Sequence, residues 1–376
     1  MKLPAKSVAY AVATFTPTFG ILLIILTRYP IVYGIDGPYY IIQLRNLISE
    51  GVIKYPDPPL TYYLLLPFYL MVDKNFGLKL AVAFYGGLTA LVLYLSFRKL
   101  GDLSGLTAAF AFVVSPFTLR LANDFIKNYV SLLFIAIFIY SIINAENDRK
   151  SIVYASAAAF ATALSHVLSF GVLALFSMII FISSFILRDA SRSIRNVSAS
   201  AAVTSLMILA VALTIAPQIV GYDTVKFFSF INKPFENAFA LTPFRTNFAA
   251  SFVIGTAGIV YGVLRRSRFS AITTASGILL ILLNLPIIGS AWLFRFSLMS
   301  SILIPPIAAI IVGEVEERFR LVAFLLIIGL MALSAIPTIP MLRPSITMKE
   351  YFEIQKIQEY IPAGSSLLVP NTKLRY

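Results

Sequence analysis

The chain has no cysteine, one histidine and one tryptophan in 376 residues. Without thiols there is neither a disulfide framework nor a thiolate metal site, and the compartment is left open. Charge is scarce as well. Asp, Glu, Lys and Arg make up 12% of the residues, against roughly 25% in soluble domains. The shortfall runs along almost the whole chain, with 59% hydrophobic residues and a mean hydropathy of +0.87. This excludes a soluble globular fold and reads as an all-α polytopic membrane protein. A β-barrel would show alternating segments of about 10 residues, and the chain has none. The first apolar stretch is long and lacks a small-residue cleavage site, so no cleaved signal is expected.

Acids are scarcer than bases, 17 against 30, giving a net charge of +13. In a soluble protein that excess would point to nucleic acid. Here the basic residues sit in short connectors between apolar runs, and no Lys/Arg run is interleaved with aromatics. The excess therefore reads as membrane topology and anionic headgroups, with no nucleic-acid partner. No internal repeat is visible, which weighs against a transporter assembled from repeats.

What is present is a series of apolar spans. They run Val8–Arg28, Phe76–Phe97, Leu103–Phe117, Phe125–Ile143, Ser151–Leu164, Leu168–Leu187, Val197–Ala216, Phe248–Leu264, Ala271–Ile288, Phe296–Val312 and Leu321–Pro340. That is about 11 crossings. Leu60–Val72 is too short for the roughly 20 residues a crossing needs and is expected to be re-entrant or interfacial. With it left uncrossed, Arg98/Lys99, Arg149/Lys150, Arg188/Arg192/Arg195, Arg265/Arg266/Arg268 and Arg318/Arg320 all fall on one side. By the positive-inside rule that side and the N-terminus are cytoplasmic, and the C-terminus is outside. Residues 1–340 read as the transmembrane domain, with 29–75 as its first outer loop. Residues 341–376 read as a short outer tail of a helix followed by a strand-like run, Ser365–Val369.

This topology gathers the informative charges at the outer rim. They are Asp36 in the first loop, Asp124 and Lys127 in the next, His166 at the turn between the fifth and sixth spans, and Arg295 beside Trp292. Charges within the spans are nearly absent, which favours chemistry at the surface over passage across the membrane. Gly37–Glu50 reads as a helix lying in the interface. Tyr40, Leu44, Leu47 and Ile48 share one face, Gln43, Asn46 and Glu50 the other, and Gly51 ends it. Asp36 just before it, with Pro38 in the first turn, has the pattern of an N-cap worth about 1 kcal/mol. Tyr39 and Tyr40 read as interfacial anchors or as substrate contacts. Pro56, Pro58 and Pro59 keep the next segment extended around Asp57.

Asp36-Gly37-Pro38-Tyr39-Tyr40 after the first span, then a helix, then Pro58-Pro59-Leu60, Phe76-Gly77 and a span ending in basic residues, resembles the GT-C membrane glycosyltransferases. These include protein O-mannosyltransferases, lipid A aminoarabinose transferases and oligosaccharyltransferase catalytic subunits. The resemblance covers about Val8–Ile143 and is architectural beyond it. Gly37 stands where protein O-mannosyltransferases have a second acid, and no Trp-Trp-Asp-Tyr-Gly element occurs. The resemblance implies a polyprenyl- or dolichyl-phosphate-linked sugar donor and a lipid, glycan or protein acceptor on the outer face. It implies an essential acid in the first outer loop, matching Asp36, and a second in the next, where Asp124 stands.

Inverting transfer from a sugar phosphate needs a base for the acceptor hydroxyl and positive charge for the departing phosphate. Asp36 is the expected base and Asp124 the second acid, orienting the acceptor or capping the following span. Arg295 is the expected phosphate clamp, because guanidinium grips phosphate bidentately. Lys127 and His166 are further phosphate partners, and Tyr39, Tyr40 and Trp292 position donor or acceptor. No obligatory metal is expected, although two carboxylates on separate loops suit a divalent cation. The alternative readings are a transporter or flippase for a lipid-linked glycan, and a non-catalytic protein of the same fold.

Overall fold

A computed structural model describes residues 5–34, 36–145, 148–187, 191–215, 217, 245–285 and 290–360. Its regular elements are helices, and among the described residues there is no strand. The expected run at Ser365–Val369 lies outside the described residues.

The chain opens with α1 (Ala5–Thr27), the surface helix α2 (Gly37–Glu50), the short α3 (Leu60–Met71) and the long α4 (Lys74–Phe97). A 3₁₀ turn leads to α5 (Asp102–Val113), α6 (Pro116–Asp124), α7 (Ile126–Ile143), α8 (Asp148–Ser165), α9 (Val167–Ile186) and α10 (Arg192–Ile215). After residues outside the described set come α11 (Arg245–Arg265), α12 (Ser270–Leu283), α13 (Ser290–Leu298), α14 (Ser300–Glu314), α15 (Glu317–Ala335) and α16 (Met348–Tyr360).

Seven described helices are long and apolar enough to cross a membrane, or eight if the bent pair α5–α6 is one span. The expected count of eleven included Leu103–Phe117 as one crossing. That segment is instead bent by 49°. Ser115 is extended (ψ 129) ahead of Pro116, because the proline ring disfavours a helical residue before it. The expected crossings at 248–264 and 271–288 correspond to short apolar helices, with 286–289 outside the described residues. The span Trp292–Glu314 is 94% buried and α7 72%, whereas the windows of α1, α10 and α15 are only 17% buried. The former make the centre of the bundle. The latter present Leu, Ile and Val outward, as lipid-facing helices do.

Two rims follow from the contacts between helix ends. At one, Tyr94 donates to Asp102 (3.0 Å), Ser104 to the carbonyl of Ala309 (2.6 Å) and Tyr261 to Glu314 (3.2 Å). A Cβ placed on Gly101 would lie 3.7 Å from the Arg320 guanidinium. This is the rim of the basic connectors. At the other, Lys79 donates to the carbonyl of Pro30 (3.0 Å) and Asn75 accepts from the N–H of Val32 (3.2 Å). Both ends of α3 meet residues of this second rim. Thr61 donates to the Ser165 carbonyl (3.4 Å), and Asp73, just after α3, caps α4 through the N–H groups of Asn75 and Phe76. Twelve residues of helix span about 18 Å, short of the roughly 30 Å of a hydrocarbon core.

Candidate active site at one rim

The first loop is pinned from several sides. Arg28 donates to the carbonyls of Ile339 (3.0 Å) and Leu342 (2.9 Å), and Arg120 to that of Met341 (3.0 Å). Gly34 sits at φ +68, forms a bridge with Pro344, and lies so close to α6 that a Cβ would stand 2.9 Å from the Asn123 carbonyl and from Asp124 Cα. A side chain there would be both strained and excluded. The carbonyls of Tyr29 and Pro30 are both held by the buried Lys79.

Asp36 occupies the residue before α2 but does not cap it. Its backbone is helical (φ −83, ψ −9), and its side chain makes no cap hydrogen bond. The expected N-cap is therefore not formed, because a capping carboxylate needs an extended backbone to reach the first N–H groups. Among the described residues the carboxylate makes no hydrogen bond or ion pair. Burial pushes it above the ordinary carboxylate range, opposed by Arg295 and Lys127 and reinforced by Asp57. The competition that the sequence left open is thus decided by desolvation.

Asp124 is engaged differently. It forms an ion pair with Arg120 one turn earlier (2.5 Å) and accepts from Asn123. Arg120 in turn lies 5.9 Å from the ring centroid of Phe294. Arg295 stacks between two rings, 5.1 Å from Phe125 and 5.2 Å from Trp292. Its exposed guanidinium has no hydrogen-bonding or ion-pair partner among the described residues. His166 N-caps α9, its Nδ1 accepting from the N–H of Ser169 (3.4 Å). Burial, then Lys127 and Arg295, hold it well below the usual histidine range. This favours the neutral ring, and Nδ1 accepting from Ser169 leaves Nε2–H as the donor that could face an anion.

The densest network centres on Asp57, which in the sequence stands in a proline-rich spacer. One of its oxygens accepts from Tyr62 (2.6 Å), from Tyr39 (3.0 Å) and from the ammonium of Lys127. Lys127 also lies over the rings of Tyr39 (5.9 Å) and Tyr62 (5.8 Å). Gln43 donates to Tyr39 (3.0 Å) and pairs both ways with the backbone of Tyr55 (2.9 and 3.0 Å). This corrects the expected faces of α2. Gln43 is fully buried and satisfied, whereas Ile48 is 49% exposed. Tyr40 is not a surface anchor, and half-buried Tyr39 is held by Asp57 and Gln43. Tyr40 is buried, and its hydroxyl accepts from the N–H of Lys127 (3.4 Å). The one signal that could have found Asp57 is an acid fixed among three prolines in a chain so poor in acids.

The structure thus brings Asp36, Asp57, Asp124, Lys127, His166 and Arg295 into one electrostatic neighbourhood. Among the described residues no three His, Asp or Glu side chains converge on a point that could hold a metal ion. The fold and this rim define an integral membrane protein with a charged, aromatic-lined centre where several helix ends meet. Residues 56–218 match the family model of dolichyl-phosphate-mannose-protein mannosyltransferase. No curated protein matches the chain. The matched stretch begins later and ends later than the resemblance read from Val8–Ile143. It holds Asp57, Asp124, Lys127 and His166 but neither Asp36 nor Arg295. The match covers less than half of the chain.

Proposed function

We propose that the protein transfers one sugar, with inversion, from a polyprenyl- or dolichyl-phosphate carrier to an acceptor on the extracytoplasmic face. The N-terminus and the basic rim are then cytoplasmic. The observation that carries this reading is that Asp36, partly buried and without a hydrogen bond or ion pair among the described residues, shares one electrostatic field with Arg295, whose guanidinium likewise has no hydrogen-bonding or ion-pair partner among them.

The acceptor hydroxyl gives its proton to Asp36 as its oxygen forms a bond to the sugar's anomeric carbon. The bond from that carbon to the phosphate oxygen breaks on the opposite face, and the lipid phosphate leaves with the electron pair. A carboxylate raised above its ordinary range is a better base near neutral pH. Arg295 offers a planar fork held by two rings, so little reorganisation is needed when phosphate charge develops. Lys127 adds a second positive charge, fixed by Asp57 and the two tyrosines, and the Nε2–H of His166 is a donor. Asp124 serves as a positioning residue, since Arg120 already neutralises it and Gly34 rests against it. Trp292 lies against Arg295 and Tyr39 against Lys127, where they can position donor or acceptor. The family name supports mannose as the sugar and protein as the acceptor.

The test is Asp36→Asn in purified protein given dolichyl-phosphate mannose and an acceptor peptide. Transfer lost with the fold intact supports the base. Transfer retained sinks it.

A further inference from the structure

On the side of α2 turned away from the site lies a hollow of about 260 Å³, lined by Ile42, Arg45, Asn46, Ser49 and Lys54. No acid lines it. Arg45 and Lys54 are both exposed, and neither has an ion-pair partner among the described residues. The turn after α2 brings these two cations together. Gly51 closes the helix in the left-handed region (φ 75), with its N–H on the Leu47 carbonyl. Asn46 then donates to the carbonyl of Val52 (2.9 Å), folding the chain back along the helix. Two apolar side chains of the same stretch of chain are exposed, Ile48 at 49% and Val52 at 61%.

We propose that this hollow binds the phosphodiester headgroup of an anionic membrane lipid. Arg45 supplies a fork and Lys54 a point charge to the phosphate. Ile48 and Val52 lie against the start of the acyl region, a contact that a soluble anion would leave unused. The positive-inside rule accounts for cations at the other rim but not for this pair at the rim of the site. The same turn carries Tyr55, whose ring stacks 5.9 Å from that of Tyr39 and whose backbone is clamped by Gln43. A lipid seated in the hollow therefore steadies the segment that leads into the Asp57 network. Binding in the hollow does not depend on the transfer reaction.

The experiment uses the full-length protein in phosphatidylcholine vesicles with a photoactivatable phosphatidylglycerol, and maps the labelled peptides. Labelling of the peptide spanning residues 42–55 is expected. It should fall about thirtyfold in the Arg45→Gln/Lys54→Gln variant, two lost charge contacts of about 1 kcal/mol each at a lipid surface, and be kept by Arg45→Lys. Unfolding temperatures in pure phosphatidylcholine should match, since both side chains are exposed. Equal labelling by photoactivatable phosphatidylcholine, or equal labelling of the double variant, would overturn the proposal. So would inorganic phosphate competing as well as unlabelled phosphatidylglycerol, because it would assign the hollow to a soluble anion.

Discussion

The two rims of this protein handle charge in opposite ways. At the basic rim, the Arg318–Glu316 pair joins near neighbours in sequence with side chains 73% and 67% exposed. Solvent screens such a pair, and its contribution to stability is about 0–1 kcal/mol. At the site rim, Lys127 and Asp57 come from segments 70 residues apart, and their side chains are only 12% and 13% exposed. Drawing these charges out of water has a cost that three donors on one carboxylate oxygen offset. One rim keeps its charges solvated. The other concentrates charge where it is costly to keep, which is the arrangement expected of a reaction centre.

The largest expected effect that separates the rims is on catalysis. Asp36→Asn should lower transfer by about 10²–10⁴-fold, read as product formed per unit of folded protein. Its unfolding temperature should be unchanged or higher. The folded-state pKa of Asp36 is raised, so its ionised form disfavours the fold as pH rises through that value, and a neutral amide removes the penalty. Next comes Arg295→Ala, which should raise the donor concentration for half-maximal rate by about tenfold or more. The acceptor requirement should change little, and the fold should hold because the side chain is exposed.

Asp57→Asn comes third and should show in stability. It leaves Lys127 partly buried without its counter-charge, at a cost of about 1–3 kcal/mol, seen as a lower unfolding temperature in detergent. The smallest effect is expected at the opposite rim, where Arg318→Gln should change stability by no more than about 0.5 kcal/mol. A comparable loss from Arg318→Gln and Asp57→Asn would erase the distinction between the rims.

Much of this was legible in the sequence, and the reason differs by element. The bounds of α2 could be read directly, because Pro38 and Gly51 mark a start and a stop by local backbone chemistry. The gathering of Asp36, Asp124, Lys127, His166 and Arg295 followed from topology alone, which needs only apolar length and basic connectors. The bend at Ser115 was passed over although Pro116 signals it locally. Gln43 was placed on the wrong face because periodicity treats glutamine as solvated. Its burial rests on a pairing with Tyr55, twelve positions along, that no local pattern shows. Asp57 was missed for the same reason, since its partners Tyr39, Tyr62 and Lys127 meet only in three dimensions. The failed N-cap at Asp36 shows the reverse case. The local pattern was correct for a cap, but the loop held by Arg28, Lys79 and Gly34 sets a helical backbone there.

On this proposal Asp36 is an ionisable base whose pKa is raised by burial and lowered by Arg295. The most direct test is the acid limb of the pH–rate profile of kcat/KM, in the wild type and in Arg295→Gln. Because Arg295 lowers a pKa that burial raises, the wild-type limb should lie above the ordinary carboxylate value of 3.8. Activity should be lost as pH falls through it, and in Arg295→Gln the limb should move to higher pH. A wild-type limb at or below the ordinary value, or one that Arg295→Gln leaves in place, would rule out Asp36 as that base.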